Sequence, residues 1–135
     1  MNLNIINYYD EINFNDINIK TIKQHHGVID TIGLIINDKF AYCTDVVDFP
    51  EDSFNQLRNL DTLVITGLRS APHIAHAHFE LTFSWINELK PKKAYLTHLS
   101  PDSAHDNVLS LCPSNVEPAY DQMSVSYTHL RAHET

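Results

Sequence analysis

The chain has 135 residues, 43% of them hydrophobic, which suffices for one domain with a buried core but not comfortably for two. Nine Lys+Arg against 17 Asp+Glu give a formal net charge of -8, which argues against a broad basic face for nucleic acid, although a local metal site could still gather a single phosphate. No apolar run approaches the ~20 residues of a membrane span, and Cys43 and Cys112 have neither CxxC spacing nor a secretory signal ahead of them, so a soluble, cytoplasmic chain with reduced thiols and no membrane partner is expected.

Leu3 to Tyr9, Ile12 to Phe14 and Ile17 to Ile22 alternate apolar with polar residues around an Asn15-Asp16 turn, which predicts a hairpin with one wet face. Thr31 to Ile36 and Phe40 to Cys43 flank the turn NDK and are apolar enough for a buried second hairpin. Pro50 and Glu51 open a short helix through Phe54, Leu57 and Leu60, Pro being tolerated near a helix start where its missing N–H has no partner to lose. Thr62 to Ile65 predicts a buried strand, Phe79 to Leu89 a helix with Phe79, Phe83, Ile86 and Leu89 on one stripe, and Lys93 to Thr97 another strand. A weak helix near Asp106 to Leu111 and a short strand around Met123 to Val125 complete an α/β reading without repeats or linkers.

The stretch PHIAHAHFE places His73, His76 and His78 at the mouth of the long helix. Imidazoles there can be metal ligands, acids or bases, or ordinary polar loop residues, and the stretch alone does not choose. Placed on the predicted elements, His26 follows a strand, Asp45 sits just past FAYC, His76 precedes the helix and His98 sits just past KAYLT. Loops after strands gather at one sheet edge in layered α/β folds. Each residue alone is more often bland than functional; together two imidazoles and a carboxylate make an N/N/O donor set suited to Zn²⁺ or a similar divalent ion.

In order, QHHG, FAYCTDVVDFPEDSF, LDTLVI, LRSAPHIAHAHFELTFSWINELKPKKAYLTHLSPD and VEPAYD resemble the C-terminal half of metallo-β-lactamase-fold hydrolases, and within them the branch similar to phosphoribosyl 1,2-cyclic phosphate phosphodiesterase. The resemblance spans roughly Ile12 to Val125 and implies an αββα sandwich with a two-metal site, Zn²⁺ or Mn²⁺, at one edge of its paired sheets. It implies that His26 and His98 are metal ligands, that Asp45 bridges both metals, and that His76 points into the site as the acid without binding metal. His73 matches a frequent position and is a candidate substrate contact, though loop packing or capping suits His73 and His78 better. The implied reaction is in-line attack by a metal-held hydroxide on a small, cyclic phosphodiester. RNA, thioesters or β-lactams as substrates, and a non-catalytic metal-binding half-domain, are the alternatives.

Two departures from the family qualify that expectation. No HxHxDH string occurs from Met1 to Thr135, so the reading is of residues 1-125 as the C-terminal half of a hydrolase domain lacking its N-terminal half, able to hold at most one ion and inactive alone. The sequence 126-135 does not continue the family's last strand and reads as a non-native tail, which discounts His129 and His133. His25 and His105 are read as solvent-facing, His25 being close enough to His26 to compete for metal. A half-sandwich would also bare one sheet face, expected to be the Ile32, Leu34, Ile36 and Ala41 set or its alternates, and so favour homo-oligomers.

Overall fold

The structure is a computed structural model that describes residues 3-126. Seven strands lie side by side in chain order: β1 (Glu11–Phe14), β2 (Ile17–His26), β3 (Ile29–Ile36), β4 (Phe40–Cys43), β5 (Thr62–Thr66), β6 (Lys93–Thr97) and β7 (Val116–Pro118). β1 to β4 pair antiparallel through tight turns. β4 to β7 pair parallel, and because parallel neighbours cannot be joined by a tight turn, each step crosses over through a helix: α1 (Glu51–Gln56), α2 (Phe79–Leu89) and α3 (His105–Leu111). Right-handed crossovers that all advance in one direction place their helices on one face of the sheet.

That face holds the core. Ala41, Leu63, Ala94 and Val116 follow one another across β4 to β7 and are buried with Phe49, Leu57, Trp85, Ile86, Leu89 and Val108. The opposite face is partly open, with Ile32 40% and Tyr42 43% exposed and Leu34, Ile36 and Val64 half-buried. Ala41, expected among the bared residues, is instead fully buried under the helices, because its Cβ alternates with that of Tyr42 across the pleat.

Both predicted hairpins form. Asn15 lies between Phe14 and Ile17, and Asn37 and Asp38 both take the left-handed conformation that short polar side chains tolerate (φ 53° and 55°). β2 runs on to His26, past the expected end at Ile22, because β3 begins at Ile29 and supplies a partner as far as the His26–Ile29 pair. Residues 3-9, whose alternation suggested a strand, form none; the strand expected near Met123 is likewise absent, and the edge strand is Val116–Pro118, paired to β6. α1 ends at Gln56, yet Leu57 and Leu60 still reach the core. α2 has the expected bounds, but its buried positions are Phe79, Thr82, Trp85, Ile86 and Leu89, with Phe83 half-buried. His129 and His133, and all of the expected tail except Ser126, lie outside the described residues. No helix among the described residues is long and apolar enough to cross a membrane.

Candidate metal centre

β2 and β4 are each antiparallel to β3 and therefore run in the same direction, as do β5 and β6. The C-terminal ends of all four strands emerge at one sheet edge, where α/β folds build their sites. His26 is the last residue of β2, Asp45 lies two residues beyond β4, and His98 directly follows β6. His76 comes from the loop between β5 and α2, which is tied down by backbone bonds from Leu68 N–H to the Ala77 carbonyl, Ala77 N–H to the Val46 carbonyl and Phe79 N–H to the Arg69 carbonyl. Asp45 and His98 both sit in the left-handed region, φ 55° and 60°, a conformation that costs a non-glycine residue about 1 kcal/mol or more and persists only where its surroundings hold it.

The four side chains converge. The His76 ring lies between those of His26 and His98, with centroids 4.6 Å and 4.7 Å away. Asp45 Oδ1 is 3.5 Å from His98 Nε2 and 3.9 Å from His76 Nδ1. One ligand atom each from His26, Asp45 and His76 lies within 4.8 Å of the others. His26 Nδ1 donates to the Ala75 carbonyl oxygen at 2.8 Å, which fixes its tautomer and leaves Nε2 with a free lone pair. Gly27, next to His26, takes φ 66°, a left-handed conformation that favours glycine, while a Cβ there would meet Ala75 Cβ only in ordinary contact at 3.4 Å.

His76 Nδ1 is buried without a hydrogen-bond partner. An orphaned imidazole nitrogen costs stability unless something pairs it, and a cation would do so. Burial first, then the imidazoles of His98 and His26, lower the His76 pKa from its ordinary 6.5, with Asp45 opposing them. The neutral ring this favours is the form that binds a metal. The donor set therefore fits a divalent ion, and His76 belongs to it geometrically as much as His26 does.

His73 lies 5.2 Å from His76 between centroids, but its Nδ1 accepts the Ala75 N–H at 3.1 Å, so the loop already uses it. His78 occupies the N-cap position of α2 without a side-chain cap bond. His25 pairs with Asp30 at 2.9 Å on the opposite side of β2 from His26, as strand alternation requires. His105 is not simply solvent-facing: its Nε2 is buried and its ring meets Tyr120 edge-on at 5.6 Å. Beside His98, Thr97, Leu99, Ala119, Tyr120 and Asp121 line a cleft of about 360 Å³. Beneath Asp45 lie Gln24, Thr31 and Gly33, which carry no pattern a sequence reading picks out.

A sequence profile described as "Beta-lactamase superfamily domain" matches residues 1-99. A search of curated proteins returned no match. Among solved structures, the crystal structure of a new diphosphatase from the PhnP family is similar at 27% identity with a TM-score of 0.84, over 90% of this chain and 47% of that one. Human tRNase Z, short form, is similar at 16% identity and a TM-score of 0.67, over 85% of this chain and 45% of that one. Zn²⁺-bound PqqB from Methylobacterium extorquens is similar at 13% identity and a TM-score of 0.72, over 90% and 55%. The chain thus spans about half the length of each of these three structures, and the two lower identities speak for the fold alone.

Proposed function

The chain belongs to the β-lactamase superfamily, and from that premise we propose that it carries the C-terminal ligands and the acid of a metal-dependent phosphodiesterase acting on a small, cyclic phosphodiester. The observation that carries this reading is the convergence of His26, Asp45, His76 and His98 at one sheet edge. Likeness to a PhnP-family diphosphatase supports phosphate chemistry over thioester or β-lactam cleavage.

His26 Nε2, the Asp45 carboxylate and His98 would hold Zn²⁺ or Mn²⁺, which when bound supplies Lewis acidity toward water and phosphate oxygens. Asp45 suits a shared position, having two oxygens, one negative charge and an Oδ1 already between two imidazoles. His76, once protonated beside an anionic phosphate, would donate to a phosphoryl oxygen or to the leaving alkoxide. These 135 residues contain no HxHxDH, so the remaining ligands of a two-ion site are proposed to come from protein outside them, and the chain alone to hold one ion weakly. A second reading makes His76 a third ligand of that ion; the compact His26–Asp45–His76 cluster favours it.

The test is to titrate the chain and its His26→Ala, Asp45→Asn, His76→Ala and His98→Ala forms with Zn²⁺ and Mn²⁺ by calorimetry. Hydrolysis of bis(p-nitrophenyl) phosphate is then followed for the chain alone and fused to a segment bearing HxHxDH. The expected result is one weak ion, negligible turnover alone, and turnover in the fusion that falls about 10²- to 10⁴-fold in His76→Ala with metal binding retained. Loss of the ion in His76→Ala selects the ligand role; robust hydrolysis by the chain alone refutes the half-site.

A further inference from the structure

Asp45 is aimed by its backbone, and a buried polar chain grips that backbone. Gln24, on β2 and 0% exposed, uses both hydrogens of its amide nitrogen: Nε2 donates to the Thr44 carbonyl oxygen at 2.8 Å and to Thr31 Oγ1 at 3.1 Å. The Thr31 hydroxyl, having accepted there, donates onward to the Asp45 carbonyl oxygen at 2.8 Å. The Thr44 carbonyl can only accept, so the amide orientation is fixed by chemistry. Two consecutive carbonyls, immediately before and within the left-handed residue, are thereby held from one side, and hydrogen bonds in such a chain polarise one another.

Gly33 makes the arrangement fit. A Cβ at Gly33 would stand 2.4 Å from Gln24 Oε1 and 3.0 Å from its Cδ, so the amide lies directly over the glycine Cα. Gln24 Oε1 has no partner of its own, and that buried cost is borne while both donors stay committed beneath Asp45.

We propose that Gln24 and Thr31, seated on Gly33, are positioning residues that lock Asp45 in its left-handed turn and so aim its carboxylate at the ion held with His26. The proposal rests on the reading of Asp45 as a metal ligand. Groups that orient a ligand typically change metal affinity about 10- to 100-fold when removed.

Thr31→Val keeps the shape and deletes the hydroxyl; Thr31→Ser keeps the hydroxyl; Gln24→Leu breaks the chain one link earlier. Zn²⁺ affinity is measured by calorimetry, and the Asp45 backbone conformation by NMR chemical shifts in the metal-free chain. Thr31→Val should weaken Zn²⁺ binding about 10- to 100-fold and move the Asp45 shifts away from left-handed values, Gln24→Leu should act in the same direction, and Thr31→Ser should restore both. In an Asp45→Asn background Thr31→Val should have no further effect on Zn²⁺. A folded Thr31→Val with wild-type Asp45 shifts overturns the proposal, as does one with altered shifts and wild-type affinity. A wild-type chain that binds no Zn²⁺ defeats the ligand reading instead, and the metal-free shifts then decide the positioning claim by themselves.

Discussion

Replacing Gly33 with alanine tests the packing beneath the centre without touching any proposed ligand. The new methyl would stand 2.4 Å from Gln24 Oε1 and 3.0 Å from both Gln24 Cδ and Ile22 Cγ1, in a layer where Gln24 and Ile22 are both 0% exposed. Overpacking of this kind costs about 1 to 3 kcal/mol. If the amide swings aside to make room, the bonds to Thr44 and Thr31 go with it, and losing a part-buried hydrogen bond costs about 1 kcal/mol more. The structure therefore predicts a loss of about 3 kcal/mol, a large share of the 5 to 15 kcal/mol typical of a domain, and a melting point lowered by roughly 10 °C. Urea titration of the metal-free chain measures it, with the single tryptophan, Trp85, 8% exposed in the core, as the fluorescent probe. Gln24→Ala opens space at the same spot, so the double variant should lose less than the sum of the singles. A Gly33→Ala chain within 0.5 kcal/mol of wild type, roughly the spread of neutral surface changes, would refute the seating of the Gln24 amide on Gly33.

The lowered His76 pKa means that the unfolded chain takes up a proton more readily than the folded one, so stability of the metal-free chain rises with pH through the window that opens just below 6.5; melting should come earlier at about pH 5.5 than at 7.5, and His76→Asn should flatten the difference. Burial pushes the Cys43 thiol up to about 12, so Cys43 should resist thiol reagents at pH 8 until the chain unfolds, and labelling at the rate of a free thiol would contradict its place under the helices. The face opposite the helices, with Ile32 and Tyr42 exposed, should make the chain self-associate at micromolar concentrations. Sedimentation should find the Ile32→Lys, Tyr42→Lys double variant smaller than wild type, and a monodisperse wild-type monomer would count against an interacting face.

Much of this protein can be read from local order in its sequence. TLVI and KAYLT are strands because short apolar runs enriched in β-branched and aromatic residues suit a buried pleat, and FELTFSWINEL is a helix because its apolar residues recur at helical spacing. The turns at Asn15 and at Asn37-Asp38 follow from side chains that tolerate the left-handed region. The ordered motifs from QHHG to VEPAYD carry the family resemblance, and strand ends carry His26, Asp45 and His98, so these side chains stand out in the sequence, and the fold brings them to one sheet edge. Tertiary structure decided what depends on partners far apart in the chain. Alternation in residues 3-9 predicts a strand as well as that of β1 does, but only a neighbouring ladder makes one, and residues 3-9 have none. Val116–Pro118 forms the edge strand because β6 offers it a parallel partner, which a three-residue segment cannot announce. The drawing of His76 beside His26 and Asp45, with its Nδ1 unpaired, depends on a loop held by backbone bonds to Val46 and Arg69. Gln24, Thr31 and Gly33 gain their meaning only when β2, β3 and the turn after β4 come together, because a hydrogen bond across 14 or 20 positions of sequence exists only after the chain has folded.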